Sequence, residues 1–164
     1  MRKSLLGLFI LVLLVSVSCN KDNGGSSSCP YTDYNVTVPA SEVADLENYL
    51  TLKGITNATK DSRGFYYTIQ AAGSGLVATP CSSITIFYQG KLTNDTVFDQ
   101  TGASPRSFVL GQLIPGWIKG IPLIKPGGSI TLYLPPSLGY GSVANGPIPA
   151  NSILIFSIQL QIVQ

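Results

Sequence analysis

From residue 60 to the C-terminus the sequence is cut into short apolar-rich runs separated by glycine, proline, asparagine and aspartate, with room for only one short helix. Gly64–Gln70 (GFYYTIQ) alternates aromatic and polar residues. Ser83–Leu92 (SITIFYQGKL) does the same over a longer span, and Thr93-Asn94-Asp95 turns the chain into Thr96–Asp99. Ser107–Leu110, Ile130–Leu134 and Ile153–Ile162 complete the set. A period of two over short runs bounded by turn residues reads as half-buried strands. Only Pro115–Ile121 interrupts the pattern as a short helix, with Pro115 suited to its start. Upstream, residues 31–38 read as extended and end at Pro39. Ser41 is placed to cap a helix over 42–53, with Val43, Leu46, Tyr49 and Leu50 on one face and Gly54 as its stop. That helix is expected to pack on the domain edge, with nothing to mark it as catalytic. Antiparallel strands with one embedded helix make the class α+β. No repeat of solenoid or propeller period is present.

At 164 residues the chain has the length of one domain plus appendages. It contains no histidine, which excludes Ser-His-Asp and Cys-His nucleophilic machinery, histidine-ligated zinc and imidazole acid–base chemistry. After Asp99 there is no aspartate or glutamate, and only Arg106, Lys119 and Lys125 are charged. A two-carboxylate glycosidase would have to be built wholly from the first 99 residues. Hydrophobic residues at 45% suffice for a core.

The N-terminus reads as a targeting segment. Arg2 and Lys3 precede an apolar run at 5–17 (LLGLFILVLLVSV). That run falls short of the roughly 20 residues a spanning helix needs but suits a signal-peptide core. Val15–Cys19 (VSVSC) resembles a bacterial lipobox, with Ser16 where leucine is common, so residues 1–18 are expected to be cleaved and Cys19 lipidated. The alternative is an ordinary signal peptide with an incidental cysteine. Without Arg2 and Lys3, eight basic and eight acidic residues remain, so nothing electrostatic favours nucleic acid or acidic lipid. Residues 19–30 then comprise the lipidated cysteine and a flexible tether (NKDNGGSSS), 31–59 a helical extension, and 60–164 the main domain. With Cys19 lipidated, Cys29 and Cys81 are an even pair in an oxidising compartment and are expected to form a disulfide, the alternative being two unrelated thiols.

Four clusters follow in order: Tyr88-Gln89-Gly90, Val97-Phe98-Asp99, Leu113-Ile114-Pro115-Gly116-Trp117 and Leu138-Gly139-Tyr140-Gly141, with Ile148-Pro149 and Ile155-Phe156 after them. Singly, each reads as core. In this order and spacing they resemble the FKBP-type peptidyl-prolyl cis–trans isomerases from about Lys60 to Gln164, most densely over 84–160. The helix and Asp61–Tyr67 look like the lead-in of lipid-anchored bacterial (Bacteroidetes-like) members. The resemblance implies a twisted antiparallel sheet of five or six strands wrapped around one short helix, preceded by an N-terminal helical extension. It also implies a pocket between the short helix and the sheet. Carried over by position, Trp117 is the pocket floor, and Tyr88, Phe98 and Phe156 are its walls. Leu113, Ile114 and Ile148 form the rim, and Phe108 joins the substrate-binding set. Asp99, Tyr88 and the Tyr140 hydroxyl are the catalytic polar groups, with Tyr88 donating to Asp99 and the Ile114 N–H available to a substrate carbonyl.

Departures from the family pattern fall around this set. The segment between Asp99 and Phe108 is short, and Arg106 stands where small eukaryotic members have an aromatic wall residue. Asn94-Asp95 replaces an Asp-Gly turn, Gly139 replaces alanine, and Ala150 interrupts Ile-Pro-Pro. The loop Ser142–Ala150 is expected to overhang the site.

The inventory suits the reaction. Rotation about a peptide C–N bond faces a resonance barrier of about 18–20 kcal/mol but breaks no bond. No nucleophile, metal or cofactor is needed, only a site that binds the twisted amide better than the planar one. Asp99 either acts on the amide directly or only organises the wall, and both readings stand. The resemblance implies acceleration of X-Pro rotation in exported proteins, with proline-containing polypeptides as clients and macrolides such as tacrolimus or rapamycin as ligands. The other reading of the same pocket is a chaperone-like binding module with little turnover. The chain is expected to be a monomer in the cell envelope, held at the outer membrane by its lipid alone.

Overall fold

The two longest strands lie side by side at the middle of one antiparallel sheet, and the rest of the structure is organised by their two faces. A computed structural model describes residues 29–31 and 35–164. The expected signal segment, Cys19 and the tether through residue 28 lie outside the described residues, as do residues 32–34 of the expected extended run.

The elements are α1 (Ala40–Leu52), β1 (Thr59–Lys60), β2 (Tyr66–Ala71), β3 (Ser83–Lys91), β4 (Val97–Gln100), β5 (Arg106–Val109), α2 (Pro115–Gly120), β6 (Ser129–Leu134) and β7 (Leu154–Val163). Single 3-10 turns occupy 110–112, 121–123 and 136–138. The seven strands run in the order β1-β2-β6-β7-β3-β4, and β5 also pairs with β3. β4 and β5 share one edge of β3: Gln89–Lys91 pair with β4, and Ser83–Ile86 pair with β5. The α+β class and antiparallel sheet around a short helix are as expected. The two-residue β1 and the separate β4 and β5 bring the strand count to seven.

Burial alternates strictly along β3, with Ile84, Ile86, Tyr88 and Gly90 inward. Ile130, Leu132 and Leu134 of β6 share that inner face with Leu154, Phe156, Ile158 and Leu160 of β7. α2 lies against this inner face. Gly116 and Gly120 are four apart and so lie on one side of the helix. A methyl group on Gly116 would collide with the Leu134 side chain, and one on Gly120 with Leu132. The two glycines therefore let the helix backbone rest directly on β6.

α1 covers the opposite face. Tyr66, Tyr133 and Ile155 form one register row across β2, β6 and β7, alternating outward from the core. Leu46 and Leu50 of α1 are buried with Tyr133 in a second cluster, against which Tyr66 and Ile155 pack. Burying each leucine contributes about 1.5–3 kcal/mol. Glu47 accepts hydrogen bonds from the Tyr66 hydroxyl (2.6 Å) and Lys60 Nζ (2.7 Å). The helix starts two residues earlier than the sequence implies. Pro39 occupies the cap position, no side chain caps the helix, and Ser41 is inside its first turn. The chain leaves the helix at Gly54, at φ +66°.

Cys29 and Cys81 are joined, with Cα atoms 5.7 Å apart and a sequence separation of 52. A loop of that length gives about 4 kcal/mol on the chain-entropy model.

Candidate functional site

Five elements meet at one mouth: the start of α2, the inner face of β3 and β7, and the strands β4 and β5. They enclose a cavity of about 160 Å³. Its floor is Trp117, placed in the first turn of α2, where Pro115 occupies a position whose N–H would have had no helical partner. The indole is 4% exposed. Tyr88, Phe108 and Phe156 line the sides, and Phe98, Asp99, Leu113, Ile114 and Tyr140 complete the lining.

The rings stand edge to face throughout. Trp117 lies 5.1 Å from Tyr88 at 78°, 5.1 Å from Phe156 at 84° and 6.3 Å from Phe108 at 84°. Phe98 meets Phe156 at 5.5 Å and 87°. Each such pair contributes about 0.5–1.5 kcal/mol beyond its area, so the box is preorganised. The indole N–H is buried with no hydrogen-bond partner among the described residues. The cavity floor is therefore an indole surrounded by aromatic rings, with no protein acceptor on its N–H among the described residues.

Consecutive strand residues ordinarily point to opposite faces. Phe98 and Asp99 nevertheless both line the cavity. Gly90 pairs with Asp99 and Lys91 with Val97, so Phe98 is an extra residue in the ladder. This bulge turns both side chains toward the mouth. Gly90 provides the space: a Cβ there would stand 2.6 Å from the Phe98 ring and 2.8 Å from the Phe156 ring.

The polar groups form a chain at the rim. The Tyr88 hydroxyl donates to Asp99 Oδ2 at 2.5 Å. Arg106 Nη1 donates to the Tyr88 hydroxyl at 3.1 Å and lies 3.5 Å from Asp99 Oδ1. Burial first, and then the hydrogen bond to Asp99, push the Tyr88 phenol up to about 12. Burial likewise raises the Tyr140 phenol, helped by the nearby Asp99 charge. Both phenols are thus neutral donors at physiological pH. Asp99 and Arg106 are each about half exposed, at 49% and 53% of their side chains. The ion pair itself is therefore worth little, and its role is orientation.

The structure brings together at this cavity Tyr88, Phe98, Asp99, Phe108, Leu113, Ile114, Trp117, Tyr140 and Phe156. Ile148, expected at the rim, is not in the lining. It is 4% exposed and packs within the core, and its backbone is bridged to Asn145. Two further residues serve the site. Arg106 does not stand as a wall residue but ties Tyr88 to Asp99. Thr101 holds the Tyr88 backbone, accepting its N–H at 3.1 Å and donating to its carbonyl at 3.2 Å. Thr101 follows directly on β4, and no local motif announces it.

A larger groove of about 970 Å³ lies between residues 35–38, α1 and residues 60–64. It has no aromatic lining, and its Asp61–Arg63 and Glu47–Lys60 charges are paired with each other. The smaller aromatic cavity is the better ligand site.

Residues 77–161 match the sequence model of the FKBP-type peptidyl-prolyl cis-trans isomerase family. The chain is similar to the FKBP-type peptidyl-prolyl cis-trans isomerase FkpA of Buchnera aphidicola subsp. Schizaphis graminum. The two are 42% identical over 118 residues, which span 70% of this chain and 46% of the relative. FkpA of Escherichia coli K12 is 36% identical over 116 residues, spanning 70% of this chain and 42% of that one. The crystal structure of Escherichia coli FkpA superposes with a TM-score of 0.68 at 34% identity, covering 76% of this chain and 60% of that chain. The chain spans less than half the length of these two curated relatives.

Proposed function

Because the chain belongs to the FKBP-type peptidyl-prolyl cis-trans isomerase family, we propose that it accelerates rotation about X-Pro bonds by binding the twisted amide without covalent chemistry. The observation that carries this reading is the indole-floored cavity with neutral donors at its mouth. A proline ring seated on Trp117 fills the part of the cavity enclosed by aromatic rings. The Ile114 N–H donates to no group among the described residues, and neither does the Tyr140 hydroxyl. Both are therefore available to the carbonyl of the rotating amide. Planar amides are more dipolar than twisted ones, and an apolar enclosure with few fixed donors discriminates in favour of the twisted form. Asp99 and Arg106 keep Tyr88 in place as a wall, and Asp99 sets the field felt by Tyr140.

The test is NMR exchange on a short Ala-Leu-Pro-Phe peptide, wild type beside Tyr140→Phe. Faster cis–trans exchange that is reduced in the variant supports the reading. Peptide binding with no acceleration overturns it in favour of a chaperone-like binding module.

We further propose that the protein acts in the cell envelope on proline-containing segments of exported polypeptides, anchored by a lipid on Cys19 at the outer membrane. The apolar run at 5–17 and the lipobox-like VSVSC support this. Palmitate labelling lost in Cys19→Ala checks it. Macrolides such as tacrolimus or rapamycin are proposed as ligands of this site, and the chain is proposed to act as a monomer. Isothermal titration and sedimentation velocity test these two points.

A further inference from the structure

The extension helix α1 lies outside the region that matches the family, and on the face of the sheet opposite the cavity. Yet it reaches the site from behind. Glu42, in its first turn, grips Ser137 with both carboxylate oxygens. Oε2 accepts the Ser137 backbone N–H at 2.8 Å, and Oε1 accepts the Ser137 hydroxyl at 2.6 Å, across 95 residues of sequence.

Ser137 sits at the centre of the 3-10 turn Pro136–Leu138, which delivers Tyr140 to the cavity mouth. A turn this short leaves its leading N–H without an internal acceptor, and Glu42 provides one from another element. The same turn fixes the backbone on both sides of Tyr140: the N–H groups of Gly139 and Gly141 each donate to the Pro136 carbonyl at 2.9 Å. A displacement of Pro136–Ser137 is therefore passed directly to the residue that carries the phenol. Tyr140 itself is 38% exposed, and nothing else among the described residues hydrogen-bonds its side chain. Its placement depends on its backbone.

We propose that Glu42 is a positioning residue for the isomerase site, holding Tyr140 through Ser137, so that α1 is a working part of the site as well as a cover for the sheet. The inference rests on the proposed isomerase reading. Its test uses the full chain and the Ala-Leu-Pro-Phe peptide, with Glu42→Ala, Glu42→Gln and Ser137→Ala each made in the wild-type and Tyr140→Phe backgrounds. Glu42→Ala is expected to lower kcat/KM about fivefold, mainly through kcat with KM within about twofold, because the lost placement matters in the twisted state. Glu42→Gln retains an acceptor for the Ser137 N–H and is expected to recover most of the rate. Ser137→Ala loses one of the two bonds and is expected to cost about twofold. In the Tyr140→Phe background these losses should shrink to less than about 1.5-fold, since residues acting through one group are not additive.

An equal fold-loss in both backgrounds would show that Glu42 acts through general stability, and no loss in Glu42→Ala would show that it does nothing for the site. Either result overturns the inference. If Glu42→Ala does not fold, the Ser137→Ala pair decides by the same criterion. Wild-type protein without isomerase activity would instead overturn the underlying reading, so the two failures are distinguishable.

Discussion

Placing one methyl group at Gly90 tests whether the aromatic cavity is as tightly built as its geometry implies. Gly90 faces inward near the C-terminal end of β3, and its Cβ position lies 2.6 Å from Cε2 and Cζ of Phe98 and 2.8 Å from Cε1 of Phe156. Carbon atoms rest at about 3.5–4.0 Å, so each of these contacts is too close by about 1 Å. Phe156 has nowhere to go, being 3% exposed and 5.1 Å, edge to face, from Trp117. Phe98 is only half-buried and stands on the β4 bulge, so it is the ring that moves. It then leaves its contact with Phe156 and opens the wall. Overpacking of this kind costs about 1–3 kcal/mol. Taking about 2 kcal/mol, Tm should fall by roughly 6–10 °C. Loss of the Phe98 wall should lower kcat/KM about tenfold.

The control is Gly102→Ala, where a methyl group meets nothing within 4 Å. It should change stability by less than about 0.5 kcal/mol. Thermal unfolding can be followed by the fluorescence of Trp117, the one tryptophan in the chain, and activity by peptide exchange. If Gly90→Ala matched Gly102→Ala in Tm and stayed within twofold of wild type in kcat/KM, the close-packed aromatic wall described above would be wrong.

Three further outcomes are expected. Asp99→Leu leaves the Tyr88 hydroxyl and Arg106 without their carboxylate and should lower kcat/KM about 5–20-fold on the peptide. If Asp99 only organises the wall, Tyr88→Phe/Asp99→Leu should lose no more than the worse single variant. Tyr88 ionises at about 12 when folded against 10.0 ordinarily, so its contribution to stability is complete below pH 10 and is lost as pH rises through 12. Denaturant midpoints of wild type should therefore fall more steeply between pH 10 and 12 than those of Tyr88→Phe. Cys81→Ser opens a linkage with a separation of 52 residues and should destabilise the protein by about 2–4 kcal/mol in urea titrations without reductant, with wild type in reductant behaving the same way.

The strands were legible in the sequence because alternation is a local signal. β3, β6 and β7 start and stop within a residue or so of their sequence limits, and Pro115 marks the first turn of α2. What escaped was long-range or very short. The two-residue β1 carries no periodicity to read. Arg106 was visible as an odd residue for an apolar wall, but its hydrogen bond to Tyr88 joins strands whose pairing no single segment encodes. Ser41 has the chemistry of a helix cap, yet the helix begins before it. Glu42 beside it finds its partner on Ser137, on the far side of the chain. Ile148 is buried in the core and bridged to Asn145, features of loop geometry that composition does not reveal.

A two-sided sheet explains why the missed contacts matter. Alternation fixes which residues of β6 face α2 and which face away, but it is silent about what covers the outer face. Here the outer row Tyr66–Tyr133–Ile155 is covered by α1, and β6 runs straight from that row into the turn that carries Tyr140. Leu132 and Leu134 of β6 seat the helix that holds the cavity floor, while Tyr133 between them seats the helix that holds the cavity rim. One strand thus ties both the indole and the phenol to a rigid sheet from opposite faces. For the proposed isomerase reaction, in which no proton moves and no bond is made, that arrangement is an advantage, because a twisted amide would be recognised only if floor and donor keep a fixed separation. On this reasoning the outer cover belongs to the machinery as much as the cavity does, and loosening α1 should be felt in turnover before it is felt in binding.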